Sequence, residues 1–131
     1  MEKSLRLQNA DLLTEYNLFE CDLARPKVKA ADFHGKAAHL QFRERAQQPA
    51  MLCTLVMTNN IDRHGVARYP VGSCPVMDPA TGATLVDALG RRSYTTSIAY
   101  GPTLGKNIAL AYLPFEYCQV GRELQIQYFA D

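Results

Sequence analysis

A chain of 131 residues, 47% hydrophobic and 21% charged, is long enough for one globular domain around a single core. Fourteen basic residues against thirteen acidic ones give a formal net charge of +1, without the basic excess of a dedicated nucleic-acid binder or a membrane-surface protein. No apolar run approaches the ~18 residues that span a bilayer, and MEKSLRLQNADLL has no continuous apolar stretch of the secretory kind, so the expected location is cytoplasmic.

Residues 1–30 are the least regular part. Ser4–Leu7 is compatible with a short strand, and Leu12, Leu13, Tyr16 and Phe19 recur at helical spacing within Asp11–Phe19. Arg25-Pro26 ends whatever precedes it, because a residue before proline avoids the helical region. No large core is legible here, which leaves the segment to lean on something outside the chain. Asp32-Phe33-His34-Gly35 then reads as a turn into a helix over Lys36–Gln47. Ala37, Ala38, Leu40, Phe42 and Ala46 form its apolar side; Lys36, Arg43, Glu44 and Arg45 form the solvated one.

From residue 50 the pattern changes to short strands between turns. Strands are expected at Met51–Met57, Cys74–Met77, Thr84–Asp87, Arg92–Ser97, Asn107–Leu113 and Arg122–Phe129. Asn59-Asn60, His64-Gly65 and Asp78-Pro79-Ala80-Thr81-Gly82 mark turns. RELQIQYF alternates polar and apolar residues and should be half-buried. Asn107–Leu113 instead has Ile108, Leu110 and Tyr112 on one face and Ala109, Ala111 and Leu113 on the other, so it should be packed from both sides. The fold class this predicts is mainly β: a small antiparallel barrel or sandwich of about six strands, with one N-terminal helix and an irregular N-terminal segment.

Cys21, Cys53, Cys74 and Cys118 are far apart and form no CxxC, so neither a structural zinc site nor, in a reducing compartment, a disulfide is expected. Cys53, inside LCTLVM, reads as a buried free thiol. His34, His39 and His64 have no carboxylate or cysteine at triad or metal spacing and read as surface histidines. Asp78 and Asp87 flank the hairpin around Gly82. Paired carboxylates can divide acid and base roles, but aspartate before proline is also simply a turn starter. No catalytic residue is assigned.

Two cationic positions are candidates for binding. In RRSYTTS, alternation sends Arg92, Tyr94 and Thr96 to one face and Arg91, Ser93, Thr95 and Ser97 to the other. The first face can hold an aromatic anion by stacking and charge-assisted hydrogen bonds, or be an ordinary solvated sheet face. Lys106 follows Tyr100-Gly101-Pro102 and Gly105, in a tight loop held on a rigid strand. It can reach a carboxylate or phosphate as a point charge, or merely solubilise the loop tip. GxxxxGK[ST] is absent, so this is not a phosphate loop.

The run Thr96-Ser97-Ile98-Ala99-Tyr100-Gly101-Pro102-Thr103-Leu104-Gly105-Lys106-Asn107-Ile108-Ala109-Leu110-Ala111-Tyr112 resembles the TSGxxSPxLGKNIALAYV-like hallmark of the glycine-cleavage T-protein family, in its C-terminal β-barrel domain. Lys29–Ala38 is similar to that family's KxDFIGKEAL element, Gly72–Val76 and Val120–Leu124 to other barrel strands, and Leu5-Arg6-Leu7 to the LRLE strand near the end of its folate-binding domain. The resemblance implies a relation to tetrahydrofolate-dependent aminomethyltransferases, closest in flavour to folate-dependent demethylases and to the modules fused to dimethylglycine and sarcosine dehydrogenases. It divides the chain into 1–30, the tail of a folate-binding domain or a docking segment, and 31–131, the barrel. It implies that the essential carboxylate belongs to a larger preceding domain, and that Lys106 or Arg92 lies near the anionic folate tail with Tyr94 or Tyr100 as an aromatic wall. The expected partner is thus a folate-binding domain or subunit. Two departures stand out: Ile98 and Ala99 replace the family's two glycines, and Tyr128–Asp131 stops short of a final strand. A missing strand would leave an edge for another chain, a homo-oligomer among the options. The alternative is a non-catalytic interaction domain that mediates oligomerisation or docks to a flavin- or folate-dependent enzyme.

Overall fold

A computed structural model describes residues 1–128; the end of the expected strand Arg122–Phe129 lies outside the described residues. The elements in chain order are α1 (Lys36–Arg43), β1 (Ala50–Val56), β2 (Val76–Met77), β3 (Thr95–Gly101), β4 (Lys106–Pro114) and β5 (Gln125–Ile126), with a 3-10 turn at Phe115–Tyr117. The chain is mainly β with one helix. All strand pairs are antiparallel, in a three-stranded sheet of order β1-β4-β3 and a two-stranded sheet β2-β5.

β4 organises the molecule because both of its faces are apolar. On one face Ala111 and Leu113 meet buried Val76 and Leu85, with Cys53, Leu55, Tyr117, Cys118 and Leu124 packed around them. On the other, Tyr112 meets Cys21 and Ala50, with Leu12, Tyr16 and Leu52 alongside. The N-terminal segment covers this second face. The Tyr16 ring stacks on Tyr112 at 3.5 Å, and the Tyr112 hydroxyl donates to the Asp11 carbonyl at 2.6 Å. The segment therefore leans on this chain's own β4, which corrects the expectation that it lacked a core here.

It does so without the helix expected over Asp11–Phe19. Asn17 Oδ1 accepts from the backbone N–H groups of Phe19 and Glu20, Glu20 Oε2 accepts from the Asn17 N–H, and Asp11 Oδ2 accepts from the Leu7 N–H. Such side-chain bonds offer the backbone an alternative to helical pairing, and here they hold a series of turns. Ser4–Leu7 forms no strand; Ser4 has φ 52° and the nearby ladder is a single bridge between Gln8 and Leu12. α1 also stops earlier than Gln47, where the Gln48 side-chain amide donates to the Phe42 carbonyl and satisfies the helix end.

The expected barrel or sandwich of about six strands is, among the described residues, five strands in two abutting sheets, without closure into a barrel. Ser73 and Cys74 hydrogen-bond to Thr95, and a Pro75–Tyr94 bridge joins the sheets. Thr84–Asp87 supplies only isolated bridges, to Met77 and Arg92, because the Asp78 and Asp87 turns on either side bend the chain too tightly for a longer ladder. Among the described residues β1 is strand-paired on one edge only; on the other its Leu52 N–H donates to the Glu20 carbonyl at 2.7 Å. Between β1 and residues 117–126 lies an open groove of about 720 Å³.

Candidate functional site

The β3–β4 hairpin carries two of the four residues picked out as ligand-binding. Tyr100 pairs with Asn107 and Gly101 with Lys106, and the turn closes with the Gly105 N–H on the Gly101 carbonyl at 2.8 Å. Gly105 has φ 65°, the left-handed conformation this reversal needs. Gly101 is required for a different reason. A Cβ there would lie 2.6 Å from the Ile108 Cδ1 and 2.9 Å from a Glu2 oxygen. Tyr100 and Lys106 are both exposed beside this turn, and a Cβ on Gly105 would sit 3.8 Å from the Tyr100 hydroxyl.

The tip of the hairpin already holds a carboxylate. The N–H groups of Thr103 and Leu104 donate to Glu2 Oε1 at 2.8 and 3.1 Å. These bonds, that of Leu104 foremost, keep the Glu2 carboxyl below the usual range. The geometry of the tip, with Lys106 next to it, thus suits a carboxylate anion.

Arg92 and Tyr94 lie at the other end of β3, ahead of its first residue, and do not join the hairpin pair. Arg92 is exposed and its side chain makes no ion pair among the described residues. The Tyr94 hydroxyl donates to Glu15 at 3.2 Å; burial and then the Glu15 charge raise its pKa. Tyr94 therefore faces the N-terminal segment. Thr96, the extra residue of a β-bulge in β3, turns the same way and donates to the Asp11 carboxylate.

The cation that organises this end is Arg91. Its Nε contacts Asp87 Oδ2 at 2.7 Å, one terminal nitrogen pairs with Glu20, and the other donates to the Glu15 carbonyl at 2.5 Å. Its guanidinium also lies 4.3 Å from the Tyr16 ring centroid. Burial opposes the charge of Arg91, but Glu20 and Asp87 outweigh it and raise its pKa. Alternation had put Arg91 on the side of Ser93 and Thr95, both buried here; that was the available signal. Glu20 and Glu2 had none, since their partners are 71 and about a hundred residues away in sequence.

The remaining polar candidates serve local structure. Asp78 accepts from the Ala80 N–H and from the Tyr117 hydroxyl, and Asp87 accepts from the Leu89 and Arg91 N–H groups. His34 and His64 are exposed, whereas His39 is half-buried with its ring 5.0 Å from that of Phe19. Among the described residues no three His, Cys, Asp or Glu side chains converge as metal ligands. No helix there is long and apolar enough to cross a membrane.

Residues 52–131 match the glycine cleavage T-protein C-terminal barrel domain. Relatives extend the similarity to the N-terminal segment. An aminomethyltransferase of Symbiobacterium thermophilum is 28% identical over 127 residues, which is 95% of this chain and 29% of the relative. One of Koribacter versatilis is 32% identical over 88% of this chain and 27% of its own length. The mitochondrial dimethylglycine dehydrogenase of Rattus norvegicus is 26% identical over 97% of this chain and 13% of its own length. The chain thus spans less than a third of each of these proteins. Since the matched region is more than half of the chain and includes most of β1, both strands of the hairpin and the groove, the chain belongs to the glycine cleavage T-protein C-terminal barrel domain family.

Proposed function

We propose that this chain is the C-terminal module of a tetrahydrofolate-dependent aminomethyltransferase or demethylase, and that it closes the folate site of a partner subunit or a preceding domain. The observation that carries this reading is the proportion of the matches: two aminomethyltransferases align with 95% and 88% of the chain but with only 29% and 27% of themselves. The hairpin supports it at the level of chemistry. Tyr100 and Lys106 fit the anionic tail of folate, by stacking and charge, beside the Thr103 and Leu104 N–H groups that hold Glu2. Arg92 and Tyr94 do not converge with them, so the four do not make one pocket and the pterin ring has no assigned place here. The chain's contribution is a wall that positions the folate tail, with the reacting carboxylate supplied from elsewhere.

Calorimetric titration tests this. Tetrahydrofolate should bind more tightly to a folate-binding partner together with this chain than to the partner alone, and Lys106→Ala should weaken that binding about tenfold, the worth of one charge-assisted hydrogen bond. The pure chain should not turn over tetrahydrofolate with a methylamine donor; turnover would refute the reading.

One observation favours the alternative of a non-catalytic interaction domain. Among the described residues β1 has an edge with no strand on it, and β1 also lines a groove of about 720 Å³. A stable homodimer with no affinity for folate would select that alternative.

A further inference from the structure

Cys53 and Cys118 are far apart in sequence but meet in the fold. Cys53 sits on β1 opposite Ala111, so its side chain shares the face of Ala111 and Leu113. Cys118 ends the 3-10 turn after β4, and its sulfur lies 3.5 Å from the Leu113 carbonyl oxygen and 3.3 Å from that of Pro114. Both thiols pack on the same core cluster, both are half-buried, and both line the open groove between β1 and residues 117–126. The two thiols are near enough to interact directly. The other two cysteines, Cys21 and Cys74, are buried.

We propose that Cys53 and Cys118 form a dithiol site, open to the groove, that hydrogen peroxide and small hydroperoxides oxidise to a disulfide. The Cys118 S–H donates to the Leu113 and Pro114 carbonyls. Whichever of the two sulfurs ionises attacks, and the other resolves.

Attack of one thiolate on a peroxide oxygen breaks the O–O bond, giving a sulfenic acid and hydroxide, which takes up the proton that thiol released. The second thiol then attacks the sulfenic sulfur; the S–S bond forms and the sulfenic oxygen leaves as water with the second thiol's proton. Two thiols lose two electrons, and one hydrogen peroxide becomes two waters.

The test is a non-reducing tryptic peptide map of the full chain after hydrogen peroxide. Cleavage after Arg45 and Arg63 isolates Cys53, cleavage after Lys106 and Arg122 isolates Cys118, and Cys21 and Cys74 fall in two further peptides. The expected product is a cross-linked pair of the Cys53 and Cys118 peptides, with Cys21 and Cys74 still reduced. Cys53→Ser and Cys118→Ser should each lose the cross-link. Oxidation of Cys21 or Cys74 ahead of Cys53 and Cys118, or no 53–118 cross-link in the unmodified protein, would overturn the proposal. The unmodified protein alone decides this, whatever the variants do to folding.

Discussion

Arg91 shows how one side chain can fix a chain segment. It bridges two buried carboxylates, Glu20 and Asp87, and lies over Tyr16, so the N-terminal segment and the Asp87 turn meet at a single guanidinium. Removing it would leave two carboxylates in low dielectric without a counter-charge. Arg91→Ala is expected to cost about 3–5 kcal/mol in urea denaturation. Arg91→Lys should recover only part of this, since an ammonium cannot reproduce the forked geometry. Arg92→Ala, one residue on and exposed, should stay within about 0.5 kcal/mol. The sequence offered both arginines, and alternation put Arg91 with Ser93 and Thr95, which are buried in the fold, and Arg92 on the opposite face. A lone arginine does not disclose its partner when that partner is Glu20, 71 residues away.

β4 was the most legible element, because a strand apolar on both faces announces that something lies on each side. What lies there was legible on one side only. Val76, Leu85 and Leu124 come from segments read as strands, whereas the cover on the Tyr112 face is a set of turns held by Asp11, Asn17 and Glu20. Turns built on side-chain hydrogen bonds leave no period in the sequence, and their apolar residues imitated a helix. The number of strands was over-read for the opposite reason. Each short β-rich run looked like a strand, yet Thr84–Asp87 has turns too close on either side to pair beyond single bridges. The two faces of β4 should respond differently to substitution. Leu113→Ala opens a cavity in the core and should lower global stability by about 2–5 kcal/mol. Tyr112→Phe removes only the bond to the Asp11 carbonyl and should cost about 1 kcal/mol, with hydrogen exchange accelerated in residues 7–21 and little changed around Val76.

At the scale of the whole molecule, the N-terminal segment and the sheet are one packed unit linked by an exposed tether. Arg25–Asp32 is exposed throughout except at Val28, while residues on the segment side are locked by Arg91, Thr96 and Tyr112. Limited trypsin treatment should therefore cut first after Lys27 or Lys29, Pro26 protecting Arg25. The fragment before the cut should still co-elute with the remainder in gel filtration; its loss under native conditions would show that the packing of Tyr16 on Tyr112 does not hold it. The anchoring of Glu2 on the hairpin has a directional outcome. The start of the chain is tied to the same corner that presents Tyr100 and Lys106, so a polypeptide joined ahead of residue 1 would be delivered there, alongside that lysine, and not at the far side near Arg92.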